Sequence, residues 1–401
     1  MMRFTFAARL VFPVDQPPLW NGCLEMENGR VTAVYPRASS GVAGIKNAID
    51  LGNVALVAGL INAHTHWEFS DLREPLQPAT PFTAWLKSLM QSRRNATADK
   101  ATRIQRGATQ SVEGGCAVVG EIATAGNPAL GTTDWQAPLT SCRTVAFHES
   151  IGLRPDRREA QLQLAKNWLS APPAEEIIRG LSPHAPYTVH PALLSDLIKL
   201  AKAKKAPVAM HLAETQAELE LLQHGTGEFV EFLDRMGAWD PQAIPRGSRP
   251  LDCLRSLEPL SHVLAVHGNY LDAEEQAFLA ARPQFTVVYC PRTHAFFGHT
   301  PHPWQELLAQ GCRVALGTDS RASNPDLSMW NEVVWLSRRF PTVDPALLLK
   351  LATQNGAEAL GLAAEFGSLE VGMLARVAVV KLPDVQSTDP WGLLYAGKMK
   401  T

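Results

Sequence analysis

Residues 53–66, NVALVAGLINAHTH, set the reading of this chain. An uncharged apolar run with β-branched residues ends in His64-Thr65-His66. Its length and composition fit a buried β-strand. Alternate strand residues share a face, so His64 and His66 point the same way and Thr65 points opposite. Three other apolar runs also end in polar residues: PVAMHLAE (207–214), HVLAVHGN (262–269) and VALGTDS (314–320). They deliver His211, His267 and Asp319. Polar residues brought from the ends of several strands are what the C-terminal face of a (β/α)8 barrel provides.

From Val54 onward the pattern is strand, loop, helix. Eight β-like segments fall at 54–63, 116–123, 144–149, 178–183, 207–212, 262–267, 286–290 and 314–318. Helix-like stretches such as HPALLSDLIKLAKAKK (190–205) and DAEEQAFLAAR (272–282) separate most of them. The connection NPALGTTDWQAPLTSC (127–142) is only weakly helical. This α/β alternation predicts a TIM-like (β/α)8 barrel over 55–365. Before it, FTFAARLVFP, GCLEMENGRVTAVYP and IKNAIDLG read as short strands; after it, GSLEVGMLARVAVVKL returns to β character. Residues 1–54 and 366–401 are therefore expected to form a small β-sandwich built from both ends of the chain.

Apolar residues make up 46% of the 401, enough for a large core, and the formal net charge is -2. Charges of both signs are mixed, without the basic stripe that nucleic-acid binding requires. The six cysteines contain no C-x-x-C pair and sit mostly in apolar runs, which predicts reduced thiols. The opening MMRFTFAARLVFPVD is broken by Arg9 and reads as a strand rather than a signal peptide. A cytoplasmic protein with a small-molecule substrate is expected, with no nucleic-acid or membrane partner. A homodimer is left open.

His-x-His alone is weak evidence, since twelve histidines in 401 residues make chance pairs common. Joined to strand-end His211, His267 and Asp319, it points to a zinc-like divalent ion, which imidazole and carboxylate ligands suit. Glu214, three residues after His211, is placed to shuttle a proton beside the ion. Its bland alternative is capping the helix TQAELELLQHG, which Thr215 could do as well. His184, between two prolines in SPHAPY, reads as a pocket residue held by rigid backbone. Trp85 and Trp67 could each stack on a flat ring. His294, His299 and His302 read as loop residues, with His294 nearest to a substrate role. His148, His190, His224 and His262 read as structural.

The chain resembles the amidohydrolase superfamily, in its cytosine/adenosine-deaminase-related branch. The resemblance rests on GLINAHTHWEFSDL, FTAWL, SPHAPYTV, HLAET, VHGNYL, CPRTHAFFGH and ALGTDSRASNPDLSMWNEV, and continues through NGAEALGL and GSLEVGMLA. It implies a metal-dependent hydrolase acting on carbon–nitrogen bonds of cyclic amidines, with a barrel and a terminal β-sandwich. It implies one divalent ion, zinc first and iron second, on His64, His66, His211 and Asp319. Glu214 would be the proton shuttle and His267 would hydrogen-bond the attacking water. Strand 4 ends in SPHAPY without a bridging lysine, which suits a single ion.

Relatives acting on S-adenosylhomocysteine and methylthioadenosine tend to carry a ribose-binding glutamate nine residues after the matching tryptophan; here Trp85 plus nine is Arg94. HTHWEFS and GTDSRASN look most like aminodeoxyfutalosine deaminases of the menaquinone route. The expected substrate is then 6-amino-6-deoxyfutalosine, whose benzoate calls for an arginine among Arg73, Arg94, Arg292 and Arg321. Arg292, His184, Glu214 and Trp85 are the expected substrate-binding residues. Hydrolysis of guanine, a cyclic amide or a triazine ring is the alternative, and a zinc-binding protein without turnover is a third reading.

Overall fold

The computed structural model describes residues 2–37, 48–124, 135–172, 174 and 176–400. The first half of the connection expected to be weakly helical, 127–134, lies outside them. Eight barrel strands follow in parallel register: Leu60–His66, Cys116–Ala123, Arg143–Ser150, Ile177–Pro183, Val208–Leu212, Val263–His267, Phe285–Tyr289 and Arg313–Leu316. After Gly317 and Thr318, the short strand Asp319–Ser320 pairs with the first strand through Asp319 to Thr65 and Ser320 to His66. The sheet thus curls back on its own beginning, and the TIM-like barrel expected from the sequence is present.

The sheet is uneven. Strands four and five pair at a single position, Val208 with Leu181, whereas strands three and four pair over seven. Every residue of Cys116–Ala123 is buried, as both faces of a parallel sheet covered by helices require. The covering helix Pro191–Lys204 buries Leu193, Leu194, Leu197, Ile198 and Ala201, one apolar stripe at helical spacing. His190 caps it by accepting a hydrogen bond from the Ala192 amide at 3.1 Å, with Pro191 in the first turn. That gives one of the four structural histidines a defined task.

The ends of the chain make a second sheet of seven strands. Arg3–Phe12 is its centre, antiparallel to Leu19–Glu27 on one side and parallel to Ile49–Asp50 and Val54–Ala58 on the other. Val377–Lys381, from the far end, closes on Val54–Ala58. The single strand expected over 54–63 is therefore two strands in two sheets. The change of sheet falls at Gly59, where a side chain would lie 2.4 Å from the Ala117 Cβ. All six cysteines are free, five buried and Cys253 half-buried. Among the described residues no helix is long and apolar enough to cross a membrane.

Candidate metal centre and catalytic cavity

Four of the eight strands end in the residues singled out above, and the fold brings them together. His64 and His66 close the first strand, and Asp319 follows the eighth; both imidazoles place Nε2 3.7 Å from the Asp319 Oδ1. The His211 ring centroid lies 4.9 Å from that of His64 and 5.4 Å from that of His267. Ligand atoms of His64, His211 and His267 lie within 4.8 Å of one another, as do those of His64, His66 and Asp319.

Backbone strain marks the same places. Ala213 (φ 51°), His267 (φ 70°) and Asp319 (φ 58°) occupy the left-handed region, where residues other than glycine are uncommon. Such conformations persist where surrounding structure fixes them, and they gather at functional sites. Here the fixing bonds are visible. The Thr65 hydroxyl donates to the Asp319 carbonyl at 2.9 Å, and Ser323 Oγ to Asp319 Oδ2 at 3.0 Å. His302 Nε2–H donates to the His267 carbonyl at 2.8 Å, and Asn269 Nδ2–H to the Glu214 carbonyl at 2.9 Å. Of the loop histidines, His302 rather than His294 thus reaches the site. His294 hydrogen-bonds the Thr300 carbonyl instead.

The donor set fits a metal ion on two observations. Both ring nitrogens of His64 are buried without a hydrogen-bond partner, a costly state for a polar group unless a ligand satisfies it. Burial, first, and the neighbouring imidazoles after it hold His64 and His66 well below their ordinary pKa. His211 is lowered to about 4 for the same leading reason, and His267 well below its usual range. These shifts favour the neutral imidazole, which offers a lone pair, the form in which histidine binds metal. The His211 Nδ1–H donates to the His184 carbonyl at 3.0 Å, which turns Nε2 toward the cluster.

Glu214 sits beside this cluster, Oε1 3.4 Å from the His267 Nε2. Burial, then Asp319 and Glu218, push its carboxyl well above the usual carboxylate range. It does not cap the following helix. Thr215 does, accepting from the Glu218 amide at 3.0 Å, while Glu218 reaches back to the Ala213 and Glu214 amides at 2.9 and 2.8 Å. Glu214 is left with its side chain in the cavity.

That cavity continues past His66 and His184 into a space of about 320 Å³, walled by Leu86, Leu89, Met90, Phe232 and Tyr187. Trp85 lines its inner part, with its indole N–H bonded to the Ala322 carbonyl. Trp67 does not line it: its indole N–H turns outward to Ser111 at 2.9 Å. An open groove of about 450 Å³ elsewhere, along Gln223 and Arg249, holds charges already paired, Arg249 with Asp272 and Glu274.

The arginine expectations need correction. Arg292 lies behind the site, not in it, gripped by Asp326 at 2.6 Å and by the fully buried Glu332 at 2.7 Å. Through Asn324, which joins Glu332 to the Thr318 carbonyl, this network braces the strand end carrying Asp319. Arg292→Ala is expected to lower stability by about 3–5 kcal/mol, because Glu332 would stay buried and unpaired. Denaturant unfolding reads this, and a midpoint within error of wild type would refute the bracing role. Arg73, Arg94 and Arg321 are absent from the cavity wall too; Arg321 donates to the Arg73 carbonyl and to Gln110. The cavity arginine is Arg93, in an ion pair with Glu68 and 5.2 Å from the Phe69 ring centroid. Glu149, at the end of the third strand, is the other wall residue that sequence reasoning missed.

The profile of the amidohydrolase family matches residues 55–399. The chain belongs to the amidohydrolase family. It is a hydrolase of carbon–nitrogen bonds with a metal-binding cluster at the barrel mouth. This amidohydrolase is 29% identical to 5-methylthioadenosine/S-adenosylhomocysteine deaminase of Moorella thermoacetica, over 97% of this chain and 89% of that one. It is also 29% identical to aminodeoxyfutalosine deaminase of Deinococcus radiodurans, over 75% of this chain and 72% of the relative. Among solved structures it is similar to Helicobacter pylori aminofutalosine deaminase in complex with methylthio-coformycin. The TM-score is 0.80 at 20% identity, over 99% and 97% of the two chains, a likeness that speaks for the fold.

Proposed function

We propose that this amidohydrolase deaminates an adenine nucleoside carrying a carboxylated aromatic group, with 6-amino-6-deoxyfutalosine of menaquinone biosynthesis as the leading substrate. The observation that carries the reading is Glu214. A buried carboxyl beside a His/Asp cluster, pushed above the usual carboxylate range by burial and opening onto a cavity, suits a proton shuttle beside an attacking water. The names of the two curated relatives support the nucleoside class.

His64, His66, His211 and Asp319 would hold one divalent ion, zinc first, with His267 beside it. When bound, such an ion lowers the pKa of water from about 15.7 towards about 7. Asp319 takes the proton that the attacking water gives up, and Ser323 holds that carboxylate in place. His267, fixed by His302, orients the water toward the amino-bearing ring carbon. Glu214 protonates the adjacent ring nitrogen as the carbon becomes tetrahedral; the proton held by Asp319 passes to the amino group as ammonia leaves, and the hydroxyl proton on that carbon returns to Glu214. His184 and Trp85 flank the ring. Arg93 replaces the four arginines first considered as the partner of the substrate carboxylate.

The test compares kcat/KM for 6-amino-6-deoxyfutalosine, adenosine and methylthioadenosine, reading ammonia release. The carboxylated compound is expected to be favoured by about 10-fold or more, the worth of one charge-assisted hydrogen bond. Equal efficiency on a plain nucleoside would remove the futalosine assignment. Ammonia from none of them would transfer the site to ring hydrolysis.

A further inference from the structure

The two strands that bring His64, His66 and Asp319 together are joined by a side chain where the backbone does not join them. His64 and His66 stand on Leu60–His66, and Asp319 follows Arg313–Leu316. Among the described residues these two strands form no ladder with each other. Strand pairing begins only beyond them, at Asp319 with Thr65 and Ser320 with His66. On its other side Leu60–His66 shifts register against the second strand between Asn62 and Thr65. The ladder is thus irregular on both sides of the first strand, just below the histidines.

Asn62 lies in that gap, and it and Thr318 are fully buried. Its Oδ1 accepts from the Thr318 amide at 3.1 Å and from the His64 amide at 3.3 Å. Its Nδ2–H donates to Thr318 Oγ1 at 2.8 Å. The side-chain amide has one workable orientation: turned over, Nδ2 would face two N–H donors. Because Asn62 donates to the Thr318 hydroxyl, that hydroxyl spends its own hydrogen on the Asp319 carbonyl, 3.1 Å away. The Thr65 hydroxyl gives the same carbonyl a second bond. Two donors on one carbonyl hold Asp319 at φ 58°, and Asn62 aims one of them.

Close packing makes the spacing sensitive. A side chain at Gly317 would come within 3.0 Å of both the Cβ and the carbonyl oxygen of His64, so the chain leading to Asp319 passes tightly against that ligand. His64 and His66 each place Nε2 3.7 Å from the Asp319 Oδ1. A zinc-like ion fixes its distances to such ligands within about 0.2 Å. Without Asn62 the buried His64 amide loses an acceptor and the Thr318 hydroxyl a donor. Sliding one strand against the other relieves that cost at the expense of the ligand geometry.

We infer that Asn62 is a positioning residue for the metal centre: it sets the separation of His64 and His66 from Asp319, and through it the affinity for the ion. The inference rests on the single-ion reading of the cluster. The experiment titrates zinc-loaded protein with a chromophoric chelator to obtain the zinc Kd, and follows thermal unfolding in excess chelator. The proteins are wild type, Asn62→Ala, Thr318→Val and Thr318→Ser. Partners that hold metal ligands are worth about 10–100-fold in metal affinity, and Asn62→Ala is expected to raise Kd by that much. Thr318→Val keeps the amide bond to Asn62 Oδ1 and loses only the hydroxyl; it should raise Kd by about 5-fold, with Thr318→Ser within about 2-fold of wild type. If Asn62 only packs the core, Asn62→Ala would unfold at lower temperature with its zinc Kd within about 2-fold of wild type, and that result would overturn the inference. If Asn62→Ala does not fold, the two Thr318 variants decide, and equal Kd values for them would overturn it. Wild type that binds no zinc would overturn the single-ion reading and the inference together.

Discussion

Purified His211→Ala protein is expected to lack both bound metal and measurable turnover. His211 is the one histidine of the cluster whose direction a visible bond fixes: Nδ1–H is tied to the His184 carbonyl, so Nε2 faces His64 and His267. Removing the imidazole takes away a ligand and opens a void among groups that burial keeps neutral. His64, with neither ring nitrogen satisfied by protein, loses the arrangement that would offset its burial. Elemental analysis of wild type should find about one equivalent of zinc or a similar ion per chain, and of the variant almost none. Circular dichroism should show the barrel retained, since His211 lies at a strand end and lines the cavity. Two tightly held ions per wild-type chain, or full activity after thorough chelation, would sink the single-ion reading.

The cluster was legible in the sequence because one rule governs it. In a parallel sheet covered on both faces the strand itself must be apolar, so a polar residue at its C-terminal end stands out. That rule located His64, His66, His211, His267 and Asp319. Applied to the third strand, TVAFHES, it would also have located Glu149; the apolar run there simply ends less cleanly. The division at Gly59 was not legible, because the run 54–63 stays apolar while the chain passes from one sheet to another. The arginines failed for a different reason. Along the helix Phe82–Asn95, the cavity receives Trp85, Leu86, Leu89, Met90 and Arg93, a helical face that Arg94 leaves by one position. Helical period therefore favoured Arg93, and counting from a family motif favoured Arg94. Arg292 looked available because its acidic partners, Asp326 and Glu332, are 34 and 40 residues away in sequence.

Glu214→Gln is expected to keep its metal and lose turnover by about 10²–10⁴-fold, the usual contribution of one positioned acid–base group. The two readings of this residue make opposite claims, and the geometry separates them. A helix cap would spend its carboxylate on backbone amides, yet Thr215 and Glu218 already satisfy those amides. The Glu214 carboxyl instead stands 3.4 Å from His267, out of water and near Asp319. Burial and that neighbouring carboxylate both favour the protonated form, so the group enters the reaction able to give a proton. An amide of the same size keeps the packing and can still donate a hydrogen bond, but it cannot pass a proton to a ring nitrogen and recover it. The loss should therefore fall on kcat more than on KM, with metal content and thermal stability near wild type. Turnover within about tenfold of wild type would return Glu214 to a structural role. Loss of metal together with activity would make it a ligand, and a different group would then have to carry the proton.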